Sequence, residues 1–327
     1  VHPRIQCLKW TVVFGSDDHG VYGAVSRNTE HRAAEAGVLP KQTYWTISTQ
    51  HTVIATGALT RGIAFPNNDR PGILLLNALE AYAGFYGVLS DASIVLLISH
   101  DEARQAALRL HALGLRIEAV IDTRSGVESL TEMPYFTGAE IVNTRGRCGL
   151  TAVQVRFADG VKRWIQTDYL GVSGGYNPTI QLTCHQGAKP VWVASRAVFC
   201  ASDNRPKDQW CVGAAAAAFD LHGGWRSAIE VAEGILEHPL EAVNPFEAGK
   251  RAIVQPPFVI EGDGPIFVDM QNDVTVKDIE LSHQEGMSSV EHVKRYTTLG
   301  MATDQGKHSN GLGLAALAHA RGPAIAE

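Results

Sequence analysis

Two short polar loops near the C-terminal end, and the basic stretch between them, carry side chains whose chemistry can be asked about first. FVDMQNDV (267–274) presents Asp269 and Gln271, and GMATDQGKHS (300–309) presents Asp304 and Ser309. Carboxylate, amide and hydroxyl are hard oxygen donors, poorly suited to a soft metal cluster. Between the loops, HVKRYTTLG sets Lys294 and Arg295 beside Thr297, Thr298 and Gly300. Small residues next to basic ones make a perch for a phosphate or for a partner's prosthetic group. The plain alternative is a solvated helix face. His19, His185, His222 and His292 have no carboxylate partner identifiable in the sequence, so none is given a catalytic role.

The elements that must position these loops are legible from spacing. Thr275 with Asp278, and Ser288 with Glu291, have capping-box spacing, and Gly286 separates them, which predicts helices over about 276–285 and 289–297. Upstream, SIVLLI (93–98) is a buried strand, DEARQAALRLHALG an amphipathic helix closed by Gly114, and RIEAVID a second strand ending in Asp122. AEIVNTRG, LTAVQVRFADG and VKRWIQTDYLGVSGG read as a β-meander. Apolar positions Leu74, Leu75, Ala78, Tyr82 and Phe85 share a helical face, predicting a helix at about 73–86. A strand, a Gly/Ala-rich turn and a helix at about 225–237 come later, followed by a Pro-containing linker, 239–265.

Composition bounds the function. The 327 residues allow two domains and are marginal for three, and the net charge of −6 with no basic run argues against a nucleic-acid partner. No apolar run is long enough to span a membrane. Five scattered cysteines without a CxxC pair exclude a dithiol reductase and a zinc ribbon, and suit a reducing cytoplasm. The chain opens on Val1 in what reads as mid-strand, which suggests a fragment.

The order βαβ, meander, Gly-Gly-x-x-Pro strand, then strand–turn–helix resembles flavoproteins with two dinucleotide-binding domains, one inserted into the other. The fold class implied is α/β. An incomplete Rossmann-like domain (1–65 and 176–245) carries an inserted Rossmann-like domain (66–175). A helical ferredoxin-like domain (246–312) follows, then a linker (313–327). On this resemblance VIATGA (53–58) is the strand returning to the cofactor, with Ala55, Thr56 and Gly57 as contacts for NAD. The late strand, which ends in Gly-Asp in FAD-binding relatives, ends here in Gly213-Ala214. That disfavours FAD and leaves NAD, weakly held or absent. A tight strand exit is the plain alternative. In the inserted unit the turn ISHDEARQ (98–105) lacks glycine and places Asp101 and Glu102 where phosphates would come, which implies a structural domain without a nucleotide. Asp122 there is either a ribose-binding acid or a solvated strand end.

The tail resembles the small iron–sulfur domain of bacterioferritin-associated ferredoxins, in which two cysteine pairs hold a two-iron cluster. The matching positions are Asp269, Gln271, Asp304 and Ser309, which implies no cluster. FPNNDRPG, GGYNP and above all VDMQNDVTVKDIELSHQEGMSSVEHVKRYTTLGMATDQGKHSN resemble the α subunits of heterotetrameric sarcosine oxidases. That resemblance implies a complex oxidising N-methylglycine, with FAD and the amine substrate on a β subunit. NAD would lie in α and FMN at the α/β interface. It also implies that the phosphate-binding first strand and a folate domain lie outside this chain, which alone would be inactive. A non-catalytic scaffold with a vestigial dinucleotide fold is the competing expectation.

Overall fold

The computed structural model describes residues 2–30, 37–89, 91–248 and 258–322. The expected opening strand residue Val1, part of the 239–265 linker and the end of the 313–327 linker lie outside them. The chain forms two compact units: 1–57, 178–191 and 199–249 in the first, and 58–177, 192–198 and 250–327 in the second.

The second unit is built on a five-stranded parallel sheet. Its spatial order is Ile73–Leu75, Tyr169–Ser173, Ser93–Ile98, Arg116–Asp122, Tyr135–Thr137. Every residue of Ser93–Ile98 is buried, as expected of a central parallel strand covered on both faces. Its side chains alternate between two cores. Ile94, Leu96 and Ile98 pack with Leu76 and Leu79 of helix Leu76–Gly84 and with Ala103, Ala106 and Leu110 of helix Asp101–Ala112. Val95 and Leu97 pack with Ile141, Val153 and Val155 of the antiparallel meander Glu140–Arg145, Ala152–Arg156 and Lys162–Gln166. From the central strand the chain winds through the Asp101–Ala112 helix to one side, whereas Tyr169–Ser173 lies on the other. The gap between those two strand ends is therefore the sheet's switch point.

The same unit ends in a helical tail with its own core of Val268, Val276, Ile279, Val293, Leu299, Leu312 and Ala316, among others. Thr275 caps helix Val276–Gln284 with the reciprocal bonds of a capping box: Asp278 N–H donates to Thr275 Oγ1 and Thr275 N–H to Asp278 Oδ2. The next helix is Val290–Thr297, capped by Ser289, not by Ser288: Ser289 Oγ takes the His292 N–H at 3.2 Å.

Two other expectations give way to packing. Of the helix foreseen at 73–86, Ile73–Leu75 instead pairs as an edge strand with Leu170–Val172, and the helix begins at Leu76. Helix Asn310–Arg321 occupies much of the stretch read as a linker from 313. Gly313 within it is a packing residue, since a Cβ there would come within 2.4 Å of the Leu299 side chain.

The first unit has an antiparallel sheet, Thr11–Asp17, Val21–Arg27 and Gln42–Ser48. It also has a parallel pair, Thr52–Ile54 with Gln209–Cys211, and a helix, Leu221–Leu236. Asp220 caps that helix by accepting the Gly223 N–H at 2.7 Å.

Candidate functional site

Two sets of residues singled out by the sequence are each gathered by the fold. In the first unit, parallel pairing in the register Ile54↔Cys211, extended by a Val212 N–H···O=C Ile54 bond of 3.1 Å, sets two strand exits side by side. Ala55, Thr56 and Gly57 leave one, and Gly213 and Ala214 leave the other. Gly57 and Gly213 both have positive φ, +73° and +60°, and a Cβ on either would meet nothing within 4 Å. Backbone exposed at glycines is what close approach of a ligand requires. The local polar groups are partly spent, however. Thr56 Oγ1 donates to the Thr179 carbonyl at 2.5 Å, and the Gly213 N–H goes to Ser227 Oγ at 2.8 Å. The pair of exits thus leaves open backbone at two glycines, with no carboxylate at Ala214.

In the second unit, Asp269, Gln271, Asp304 and Ser309 all line one cavity of about 290 Å³. Both carboxylates accept hydrogen bonds from loop amides. Asp269, buried, accepts the Gln271 and Asn272 N–H groups on Oδ1 at 3.0 and 3.3 Å, and the Gly300 N–H from the opposite loop on Oδ2 at 2.8 Å. Asp304 accepts the N–H groups of Gly306 and His308 at 3.0 and 3.2 Å and faces His308 Nδ1 at 3.3 Å. Burial alone would raise the Asp304 pKa, but those backbone donors and the imidazole bring it below the usual carboxylate range. The carboxylates thus satisfy the loop amides themselves, and the donor set does not fit an iron–sulfur cluster. Among the described residues no group of His, Cys, Asp and Glu is arranged to hold a metal ion.

The basic perch is only partly available. Lys294 pairs with Glu291 at 3.8 Å, and Arg295 is exposed. Thr297 Oγ1 donates to the Val293 carbonyl, Thr298 Oγ1 to the Thr297 carbonyl, and Gly300 is buried with its N–H on Asp269. Lys294 and Arg295 are the two charges of the set.

The inserted sheet corrects both readings of Asp122. It is neither solvated nor facing a ligand: it is fully buried and clasped by Arg124, Nε to Oδ1 at 3.0 Å and Nη2 to Oδ2 at 2.8 Å. Arg124 also reaches Asp101 at 2.9 Å, and the Tyr135 hydroxyl donates to Asp122. Burial, then this bond to the carboxylate, raises the Tyr135 pKa. At the switch point stands a constellation that sequence reasoning missed. Buried His100 meets Ser173 Oγ through Nε2 at 2.7 Å and Glu102 through Nδ1 at 3.0 Å. Tyr176 stands edge-on to the imidazole, and burial pushes its hydroxyl pKa up to about 12. The imidazole sits at the start of helix Asp101–Ala112, where a nucleotide phosphate would rest in such a sheet. The Glu102 spacing was visible in the sequence, but Ser173 is brought in from 73 residues away.

The profile described as the sarcosine oxidase A3 domain matches residues 263–327. The chain is 38% identical to the sarcosine oxidase subunit alpha of Rhizobium meliloti (strain 1021), an alignment covering 99% of this chain and 34% of that protein. It is 33% identical to the subunit of the same name from Corynebacterium sp. (strain P-1), over 92% of this chain and 34% of the other. The chain therefore spans about a third of the length of these relatives. Among solved structures, L-proline dehydrogenase from P. horikoshii superposes with a TM-score of 0.62 at 16% identity, covering 97% of this chain and 60% of that one, a likeness of fold.

Proposed function

Because the chain is homologous along nearly its whole length to a segment of sarcosine oxidase α subunits, we propose that it forms the dinucleotide-fold part of an amine-oxidising flavoprotein complex. In this reading NAD is held at the paired strand exits by Ala55, Thr56, Gly57, Gly213 and Ala214. FMN lies at the interface with a β subunit, on the side carrying Lys294, Arg295, Thr297, Thr298 and Gly300. When bound, the flavin carries electrons from the amine, handled by the partner, to oxygen. This chain contributes shape, backbone contacts and positive charge, and no general base. The observation that supports it most is the Ile54↔Cys211 register, which sets two glycine exits with open space together. Five free thiols suit a reducing compartment, the cytoplasm, and among the described residues no helix is long and apolar enough to cross a membrane.

The test is to purify the chain with its co-expressed partner and add N-methylglycine without oxygen. Bleaching of flavin absorbance, restored by air, supports the reading. A stable complex whose spectrum ignores the amine opposes it. A second reading, a scaffold whose dinucleotide folds are vestigial, draws support from His100 standing at the start of the inserted domain's helix and from the spent donors at Thr56 and Gly213.

A further inference from the structure

The cavity shared by the two tail loops has an unbalanced charge. Its walls are apolar, with Ile63, Phe65, Leu74, Val172 and Leu312 prominent, and two carboxylates, Asp269 and Asp304, stand among its lining. None of the lining residues is Lys or Arg, and the single ionisable neighbour of opposite tendency is His308. A buried carboxylate facing an apolar space without a cation is costly, and backbone N–H groups offset that cost only in part. Ser309 adds an independent sign. It is 4% exposed, it lines the same cavity, and its Oγ has no hydrogen-bond partner. Such a hydroxyl in a native interior calls for an explanation. The helix that begins after Ser309 offers about half a positive charge at its start, less than the two carboxylates supply of the opposite sign. The field in the cavity is therefore net negative.

From this cavity, its two carboxylates with no Lys or Arg in the lining, and the idle Ser309 hydroxyl, we propose a binding site for a small organic cation: an apolar body of aromatic size seated against Phe65, Val172 and Leu312, with a protonated amine directed to Asp269 and Asp304 and a hydrogen bond to Ser309. A metal ion is the wrong cation, because among the described residues the acidic groups form no ligand set and most of the remaining wall is apolar. Asp304 is held ionised by its loop, so the attraction persists across the neutral range. The site is separate from the strand exits proposed for NAD, and no redox turnover enters its test.

The experiment is a calorimetric titration of the full 327-residue chain with three probes of one shape: 2-phenylethylamine, 2-phenylethanol and 3-phenylpropionate. The amine is expected to bind about tenfold or more tightly than the alcohol, with the carboxylate weakest and the preference shrinking at high salt. Ser309→Ala should weaken the amine severalfold, and Leu312→Trp, which fills the cavity, should abolish binding. Equal affinity for all three probes, a preference for the carboxylate, or no binding of the amine overturns the proposal. The probe series on the unaltered chain decides the matter even if a variant fails to fold.

Discussion

Replacing Asp269 should unfasten the two tail loops from each other. Its carboxylate holds three backbone N–H groups, of which Gly300 comes from the opposite loop and is buried. In Asp269→Ala the Gly300 N–H is left without a partner in a dry setting, at about 1–3 kcal/mol, and two charge-assisted bonds pass to water. The total loss is about 3 kcal/mol. For a folding unit of this size it corresponds to a fall of about 6–12 °C in Tm. Asp269→Asn keeps an acceptor for Gln271 and Asn272 but turns an NH₂ toward the Gly300 N–H, so about 2 kcal/mol should go. Gln271→Ala is the control. Its amide is exposed and accepts only the Thr303 hydroxyl at 3.1 Å, so the change should stay within about 0.5 kcal/mol. Thermal melts followed by far-UV dichroism, with hydrogen exchange on the peptide containing Gly300, read both effects. An Asp269→Ala variant that melts with the parent and keeps Gly300 protected would refute the idea that the carboxylate took over a structural role.

Two further outcomes follow from paired carboxylates. Asp304 has a folded-state pKa below its unfolded value, so its contribution is fully present above about pH 3.9 and is lost as pH falls through the depressed value. Tm measured against pH should therefore drop on the acid side, and Asp304→Asn should flatten that drop; an unchanged slope counts against it. Asp122→Ala leaves the buried Arg124 with only Asp101 for a partner and should cost about 3 kcal/mol, whereas adding Arg124→Met should return part of that in chemical denaturation. A double variant no more stable than the single would refute the pairing.

Much of the inserted domain was legible because its signals are local. The run Ser93–Ile98 is too short for anything but a buried strand, and Ala103, Ala106 and Leu110 recur at helical spacing. The four loop positions 269, 271, 304 and 309 were also within reach, since two capped helices of fixed length bring their flanking loops to one end. Packing decided the rest. Ile73–Leu75 has a helical pattern but pairs with Tyr169–Ser173, a partner nearly 100 residues away that periodicity does not see. Gly313 reads as a linker glycine, yet Leu299 requires a residue without a side chain there. Ser288 and Ser289 are chemically equal, and only the placement of the first turn selects the second. Asp122 and Arg124 are two residues apart, so an ion pair was available to sequence reasoning, but its full burial was not. The Ser173–His100–Glu102 cluster depends on which strands neighbour each other and was out of reach.

The central claim is that the paired exits at Ala55–Gly57 and Gly213–Ala214 hold a dinucleotide inside an oxidase complex. It is tested most directly by weighing what the complex carries. The complex is purified without added nucleotide and denatured, and the released small molecules are quantified by mass spectrometry. The account predicts NAD in an amount matching the chain. A folded, partner-bound chain that releases flavin but no nicotinamide dinucleotide would contradict it and favour the scaffold.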